Sequence, residues 1–225
     1  MSVKLTLRAV ALGLTCVALT ACTNAPDEQV TAVSLTKSVL KGRPKPKPVD
    51  PNQLAASIQT VLVSTSAPVI AIAIPNRKAA TVMTQLEVNH GYATFGTADR
   101  RSVTLRGGMA TGTRGLGNDI MSSDISAVQP LIAGRRNGTA QRVTRHLNGE
   151  DVIAAQVTTC TVSVGPTERY QLAELDSAAT SVTEICRGDG VEFTNTYRVA
   201  PNGRVLQSRF WHSPMNEYIT IQALR

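Results

Sequence analysis

Aromatic residues are scarce in this 225-residue chain, at 4% with a single Trp. That excludes a broad stacking platform for single-stranded nucleic acid, which needs successive rings. The apolar stretch Ala9 to Leu19 is too short to span a bilayer. No G-x-x-x-x-G-K-[ST] is present, nor a G-x-G-x-x-G framed by strand and helix, nor G-x-S-x-G or H-E-x-x-H. A nucleotide-binding or motif-bearing hydrolytic enzyme is therefore disfavoured, although a triad assembled across the fold would leave no such trace. No cofactor is expected. What is present, 42% hydrophobic and 17% charged residues, suits one globular domain.

The 23 Lys and Arg exceed the 16 Asp and Glu by seven, but the excess is uneven. Residues 1–21 contain Lys4 and Arg8 and no acid. A positive start, a short apolar stretch and the small residue Ala21 make an export signal. Leu19-Thr20-Ala21-Cys22 then reads as a bacterial lipobox, in which Cys22 is lipidated and becomes the new N-terminus. An ordinary secretory signal followed by a chance Cys is the alternative. Several acyl chains would hold the protein firmly on a membrane, since each buried methylene contributes about 0.8 kcal/mol. Thr23, in place of the Asp that retains enteric lipoproteins at the inner membrane, directs the expectation to the outer membrane, facing the periplasm. Removing residues 1–21 leaves 21 basic and 16 acidic residues.

Of four cysteines, Cys16 lies in the signal and Cys22 carries lipid, which leaves Cys160 and Cys186 in an oxidising compartment. One disulfide closing a 27-residue loop is the expectation. The chain-entropy model gives it about 3.5 kcal/mol. A redox pair or a metal site would want C-x-x-C spacing or a His close in sequence, and neither is there.

Residues 22–50 read as lipidated Cys plus tether. Gly42-Arg43-Pro44-Lys45-Pro46-Lys47-Pro48 alternates Pro with cations, so it should be extended and self-repelling, either a solvated linker or a contact with anionic headgroups or acidic polysaccharide. Residues 51–225 read as the domain. Asp50 can cap a helix that Pro51 starts, and Leu54, Ile58, Val61 and Leu62 recur at helical spacing to about residue 63. Short runs with strand character follow: Val69–Ile74, Thr81–Val88, Tyr92–Phe95, Val103 with Leu105, and Arg142–Leu147 before the hairpin signal Asn148-Gly149. Val152–Val164, ending at Gly165-Pro166, Val191–Val199, Arg204–Trp211 and Tyr218–Leu224 complete them. The expected fold is mainly β, an antiparallel meander curling into a barrel- or sandwich-like domain with a short N-terminal helix. Gly107 to Asp124, rich in glycine, is expected as a structured loop with one helical turn around Ile120–Ser123.

Within that loop, Thr111–Asp119 could cradle an anion with glycine-rich backbone, or simply turn the chain. Arg114 could bind an acidic group or pair with a carboxylate. Asp119 and Asp124, with Ser122 and Ser123, form the best carboxylate pair for hydrolysis or calcium, but their spacing matches no standard loop and such side chains commonly cap turns. No metal site is expected. His90, His146 and His212 fall at a turn and in strands, where histidines are structural or surface residues more often than catalytic ones. Trp211, in Ser208-Arg209-Phe210-Trp211-His212-Ser213-Pro214, could stack on a sugar ring or complete the core.

Thr113-Arg114-Gly115-Leu116-Gly117-Asn118-Asp119-Ile120-Met121-Ser122-Ser123-Asp124, Phe193-Thr194-Asn195-Thr196-Tyr197-Arg198-Val199 with Asn202-Gly203, and Gln207–Pro214 resemble the YjbF family of bacterial lipoproteins, related to the GfcB lipoproteins of group 4 capsule loci. The resemblance spans roughly residues 54–225. Arg198 departs from it, standing where family members often have Trp. It implies an outer-membrane lipoprotein with a β-rich domain, a non-enzymatic accessory in exopolysaccharide or capsule production or export. Its expected partners are the membrane, through the lipid, and a polysaccharide or export-machinery protein, not nucleic acid. Arg114, Asn118, Asp119, Asp124 and Trp211 are the candidate ligand or partner surface. A periplasmic polysaccharide-modifying hydrolase and a purely structural envelope lipoprotein are the alternatives.

Overall fold

The structure is a computed structural model that describes residues 49–147 and 152–225. The export signal, Cys22, the tether to residue 48 and the Asn148-Gly149 turn lie outside the described residues. Helix α1 spans Pro51–Ser64, with the Asp50 carboxylate accepting from the Asn52 N–H at 2.9 Å, as the Asp-Pro pair predicted. Twelve strands follow: β1 (Val69–Ile74), β2 (Ala79–Asn89), β3 (Tyr92–Gly96), β4 (Ser102–Arg106), β5 (Met109–Arg114), β6 (Ile120–Asp124), β7 (Gly138–Leu147), β8 (Ile153–Leu172), β9 (Leu175–Gly188), β10 (Val191–Val199), β11 (Val205–Ser213) and β12 (Glu217–Ala223). A one-turn helix α2 (Gln129–Ala133) lies between β6 and β7.

The twelve strands form one antiparallel sheet in the order β5-β4-β3-β2-β1-β12-β11-β10-β9-β8-β7-β6. Every neighbour is a sequence neighbour except where β12 pairs with β1. The meander is thus a nearly closed barrel whose seam falls between β5 and β6, themselves consecutive in the chain. Closing a sheet removes the unpaired edges that would otherwise template aggregation.

Alternation along each strand places one face inward. Ile70, Ile72 and Ile74 point inward with Met83, Phe95, Val103, Leu105, Phe210, Ile219 and Ile221, forming one core cluster. Ile125, Val128, Ile132, Val162, Val182, Phe193, Tyr197, Val199 and Val205 form a second. The β4–β5 turn separates them by reaching across to β11, where the Gly107 carbonyl accepts from the Val205 N–H at 3.1 Å. Gly108 makes that approach possible: its φ is +87°, and a Cβ there would stand 2.4 Å from the Val205 carbonyl oxygen. α1 packs outside the barrel, with Ile58, Val61 and Leu62 against Val69, Ala71, Val82 and Leu224.

Three parts of the fold differ from the sequence reading. Residues 107–124 hold two strands, β5 and β6, and no helical turn at Ile120–Ser123. Gly107 and Gly108 serve the β4–β5 turn, and Gly115 and Gly117 adopt positive φ in the β5–β6 connection. Gly112 sits inside β5, facing the β6 carbonyls of Ile120 and Met121, where a Cβ would make only ordinary contacts of 3.7 and 3.9 Å. β8 runs past Gly165-Pro166 to Leu172, because the ladder shifts register between Val164 and Thr167 and the proline, without an N–H, occupies that irregularity. β9 and α2 are further elements that the sequence reading did not place.

Candidate functional site

The β5–β6 seam gathers most of the residues singled out in the sequence. Asp119 organises it: Oδ1 accepts from the Thr113 hydroxyl at 2.9 Å and the Leu116 N–H at 3.0 Å, and Oδ2 accepts from the Gly115 N–H at 2.7 Å. Arg114 donates from one terminal nitrogen to the Thr113 carbonyl at 2.6 Å and the Ile120 carbonyl at 3.0 Å, tying β5 to β6 where no ladder does. From outside the loop, Arg77 donates to the Leu116 carbonyl and Asn216 to the carbonyls of Leu116 and Gly117. The Gly-rich connection therefore has its own donors and acceptors turned inward on one another. Asn118 (φ 51°) remains exposed beside Arg114.

Beneath the loop lies a chain of Asp119, Thr113 and His212, with the Thr113 hydroxyl 3.1 Å from His212 Nε2. Counting protons assigns every role. Asp119 is an acceptor, so the Thr113 O–H points to it; Thr113 also accepts from the Ile120 N–H at 2.9 Å. His212 Nε2 must then be the donor, which leaves Nδ1 to accept from the Ser213 hydroxyl at 3.0 Å. Burial first, then the neighbouring His146, holds the His212 pKa down to about 4, so the ring is neutral at ordinary pH. Because its imidazole already donates to the hydroxyl, His212 in this arrangement cannot take a proton from Thr113. The chain is a structural strut rather than an activated nucleophile.

Asp124 is placed apart from Asp119. Asp119 immediately precedes β6 and Asp124 ends it, so their backbones stand roughly 13–16 Å apart at strand rise. Carboxylate pairs in glycoside hydrolysis stand roughly 5–9.5 Å apart, so these two cannot flank one bond. Asp124 is exposed and accepts from the Ser126 N–H at 3.0 Å, a bond that holds its pKa below the usual value. Trp211 is half-buried. Its ring stacks on Phe193 at 6.4 Å and meets the edge of Tyr218 at 5.4 Å, and Arg209 lies over the Tyr218 ring. The β10–β11 register ends at Thr196 and Arg209, and beyond it side chains replace the ladder. Asn195 Oδ1 accepts from the Trp211 N–H, and the Tyr218 hydroxyl from the Thr194 N–H.

Inside the barrel a second polar group was not foreseen from the sequence. Arg142 Nε and Nη2 each donate to Glu184 at 3.0 Å, and Tyr197 and Asn195 donate to the same carboxylate at 2.6 and 2.8 Å. Glu184 is 0% and Arg142 7% exposed. Burial alone would lower the Arg142 pKa, but Glu184 and Tyr197 outweigh it and hold it above the ordinary value. Burial first, and then the Glu184 charge, raises the Tyr197 pKa. Cys160 and Cys186 are directly opposed in the β8–β9 ladder, with sulfurs 2.05 Å apart, the geometry of a cross-strand disulfide. Glu184 lies beside them, the one grouping of potential metal ligands among the described residues, but its sulfurs are engaged with each other and its carboxylate with Arg142.

Fold and site together define an antiparallel barrel whose seam is locked by its own side chains. The sequence profile of the family described as "Group 4 capsule polysaccharide lipoprotein gfcB, YjbF" matches residues 36–224, and the chain belongs to that family. A solved structure of similar fold is the hypothetical lipoprotein YmcC from Escherichia coli (K12). It is 14% identical, with a TM-score of 0.65 over 88% of this chain and 98% of that one. No curated protein matches the chain.

Proposed function

We propose that the protein is an outer-membrane lipoprotein, anchored through Cys22 and facing the periplasm, that serves capsule or exopolysaccharide production or export without catalysis of its own. The membership over residues 36–224 carries this reading. The geometry supports its non-enzymatic part, since Asp119 and Thr113 are engaged in holding the seam and Asp124 stands too far off to work with Asp119. Contact with a glycan or a secretion partner falls to the exposed side of the seam loop, where Arg114 and Asn118 are presented on backbone fixed by Asp119. Trp211 is less suited to stacking on a sugar, because Phe193 and Tyr218 already contact its ring.

Deleting the gene and measuring the amount and chain length of secreted polysaccharide tests the role. A fall in either is expected under producing conditions, and no change in both refutes it. Replacing Cys22 with Ser should release the protein from membranes. Retention on them refutes the anchor.

A further inference from the structure

The two ends of the barrel are built differently. One end carries the β1–β2, β3–β4 and β11–β12 turns and the locked β5–β6 loop. The Val49 N–H bonds to the Lys78 carbonyl there. At the other end, α2 and the β10–β11 turn cover the second core cluster. Ile132 is buried in that cluster, and Gly203 packs against the Ala133 carbonyl. Over the first cluster at that end only the β4–β5 turn reaches across, through Gly107 and Gly108, and it leaves an opening beside it. A cavity of about 270 Å³ opens there, lined by Ile70, Ala93, Phe95, Leu105, Ile221 and Ala223. Small inward residues, Ala93 and Ala223, leave the space that larger ones would have filled.

We propose that this mouth binds the hydrocarbon chain of an anionic amphiphile, with the head at Arg204. The lining excludes other occupants. Its polar side chains are Gln85 and Arg204, so a sugar ring seated inside would leave most of its hydroxyls without partners. β1 to β4 and β10 to β12 are paired on both sides, so no free edge there accepts a peptide strand. The volume is nearly twice the roughly 150 Å³ of an apolar cavity that takes up benzene, enough for a segment of alkyl chain. Arg204 stands at the rim, exposed. It donates from one terminal nitrogen to the main-chain oxygen of Arg225, the last residue, at 2.8 Å, and its guanidinium makes no other hydrogen bond among the described residues, which leaves its remaining donors for a carboxylate or phosphate. The inference goes beyond the polysaccharide role, and its test does not depend on that role.

The test is calorimetric titration of the full chain carrying Cys22→Ser with fatty acids from octanoate to dodecanoate, below their micelle concentrations. Affinity should rise about fourfold per added methylene until the cavity is filled, and then level off. Ala93→Phe, which occupies the cavity, should weaken dodecanoate at least tenfold. Arg204→Glu should weaken dodecanoate about tenfold and leave neutral dodecyl maltoside unchanged. Geranyl phosphate compared with decanoate tells a branched isoprenoid tail from a straight acyl chain; saturable binding of either supports the site. Absent saturable binding, or binding without chain-length dependence, overturns the proposal. So does an Ala93→Phe protein with native circular dichroism and unchanged affinity; if that variant fails to fold, the length series and Arg204→Glu decide.

Discussion

Replacing Glu184 with Gln keeps the shape of the side chain and removes its charge from the barrel interior. The carboxylate receives four hydrogen bonds: Arg142 Nε on Oε1, and Arg142 Nη2, Tyr197 and Asn195 on Oε2. A glutamine can keep the three on Oε2 only by turning its NH2 toward Arg142 Nε–H, donor against donor. The guanidinium is then left buried, at 7% exposure, without the counter-charge that outweighs its burial, and an arginine keeps its proton even so. Breaking one partner of such a pair costs about 3–5 kcal/mol. In a domain of this size each kcal/mol moves Tm by about 2–4 °C, so a fall of roughly 6–20 °C is expected.

Urea unfolding followed by the fluorescence of Trp211 measures this directly, since the chain has one Trp and its main-chain N–H bonds to Asn195, a member of the network. The midpoint should fall while the slope stays the same, showing that the native state and not the compactness of the unfolded chain has changed. Arg142→Met should be comparably harmful, stranding the carboxylate instead. The double variant Arg142→Met with Glu184→Leu should be less harmful than the two single effects added, because no charge remains buried. A Glu184→Gln loss below about 1 kcal/mol, or a double variant as bad as the sum, refutes the reasoning.

His212 is neutral in the fold with a pKa held to about 4, below the ordinary 6.5, so the unfolded chain binds the extra proton first. Its contribution, on the order of 3 kcal/mol, is fully present above pH 6.5 and is lost as pH falls from there toward 4. His212→Gln should flatten stability across that window in a urea titration at several pH values; an unchanged slope refutes the assignment. Cys160→Ala should lower stability by about 3.5 kcal/mol relative to the oxidised protein. Alkylation of protein taken from the periplasm, followed by mass spectrometry, should find both thiols blocked by their bridge, and free thiols refute it.

The helix start, strand β1 and the antiparallel meander were legible because each is local: an Asp-Pro pair, a short apolar run, and turns rich in Gly, Asn and Pro. The seam was not, because glycines within a short stretch do different work. Gly107 and Gly108 turn the chain, Gly112 lies inside β5 against the β6 carbonyls, and Gly115 and Gly117 shape the connection. Composition alone merges these into one loop. Asp119 was singled out as a carboxylate for chemistry, yet its three donors come from Thr113, Gly115 and Leu116, and it engages His212 through Thr113, which lies 99 positions from that histidine. The interior pair was hidden for a related reason. Glu184 shares inward parity with Val182 and Cys186, and a charge at an inward position is the signal of a buried partner, but parity is readable only once β9 is recognised as a strand. Asp176, Ser177, Ala178, Ala179, Thr180 and Ser181 carry little β-branched or aromatic character, and pairing with the long β8 is what makes them a strand. The residues that close the seam and fill the barrel with charge are therefore products of the completed sheet. The mouth is different in kind: it is defined by side chains too small to fill the space, which no motif records and only the closed barrel reveals.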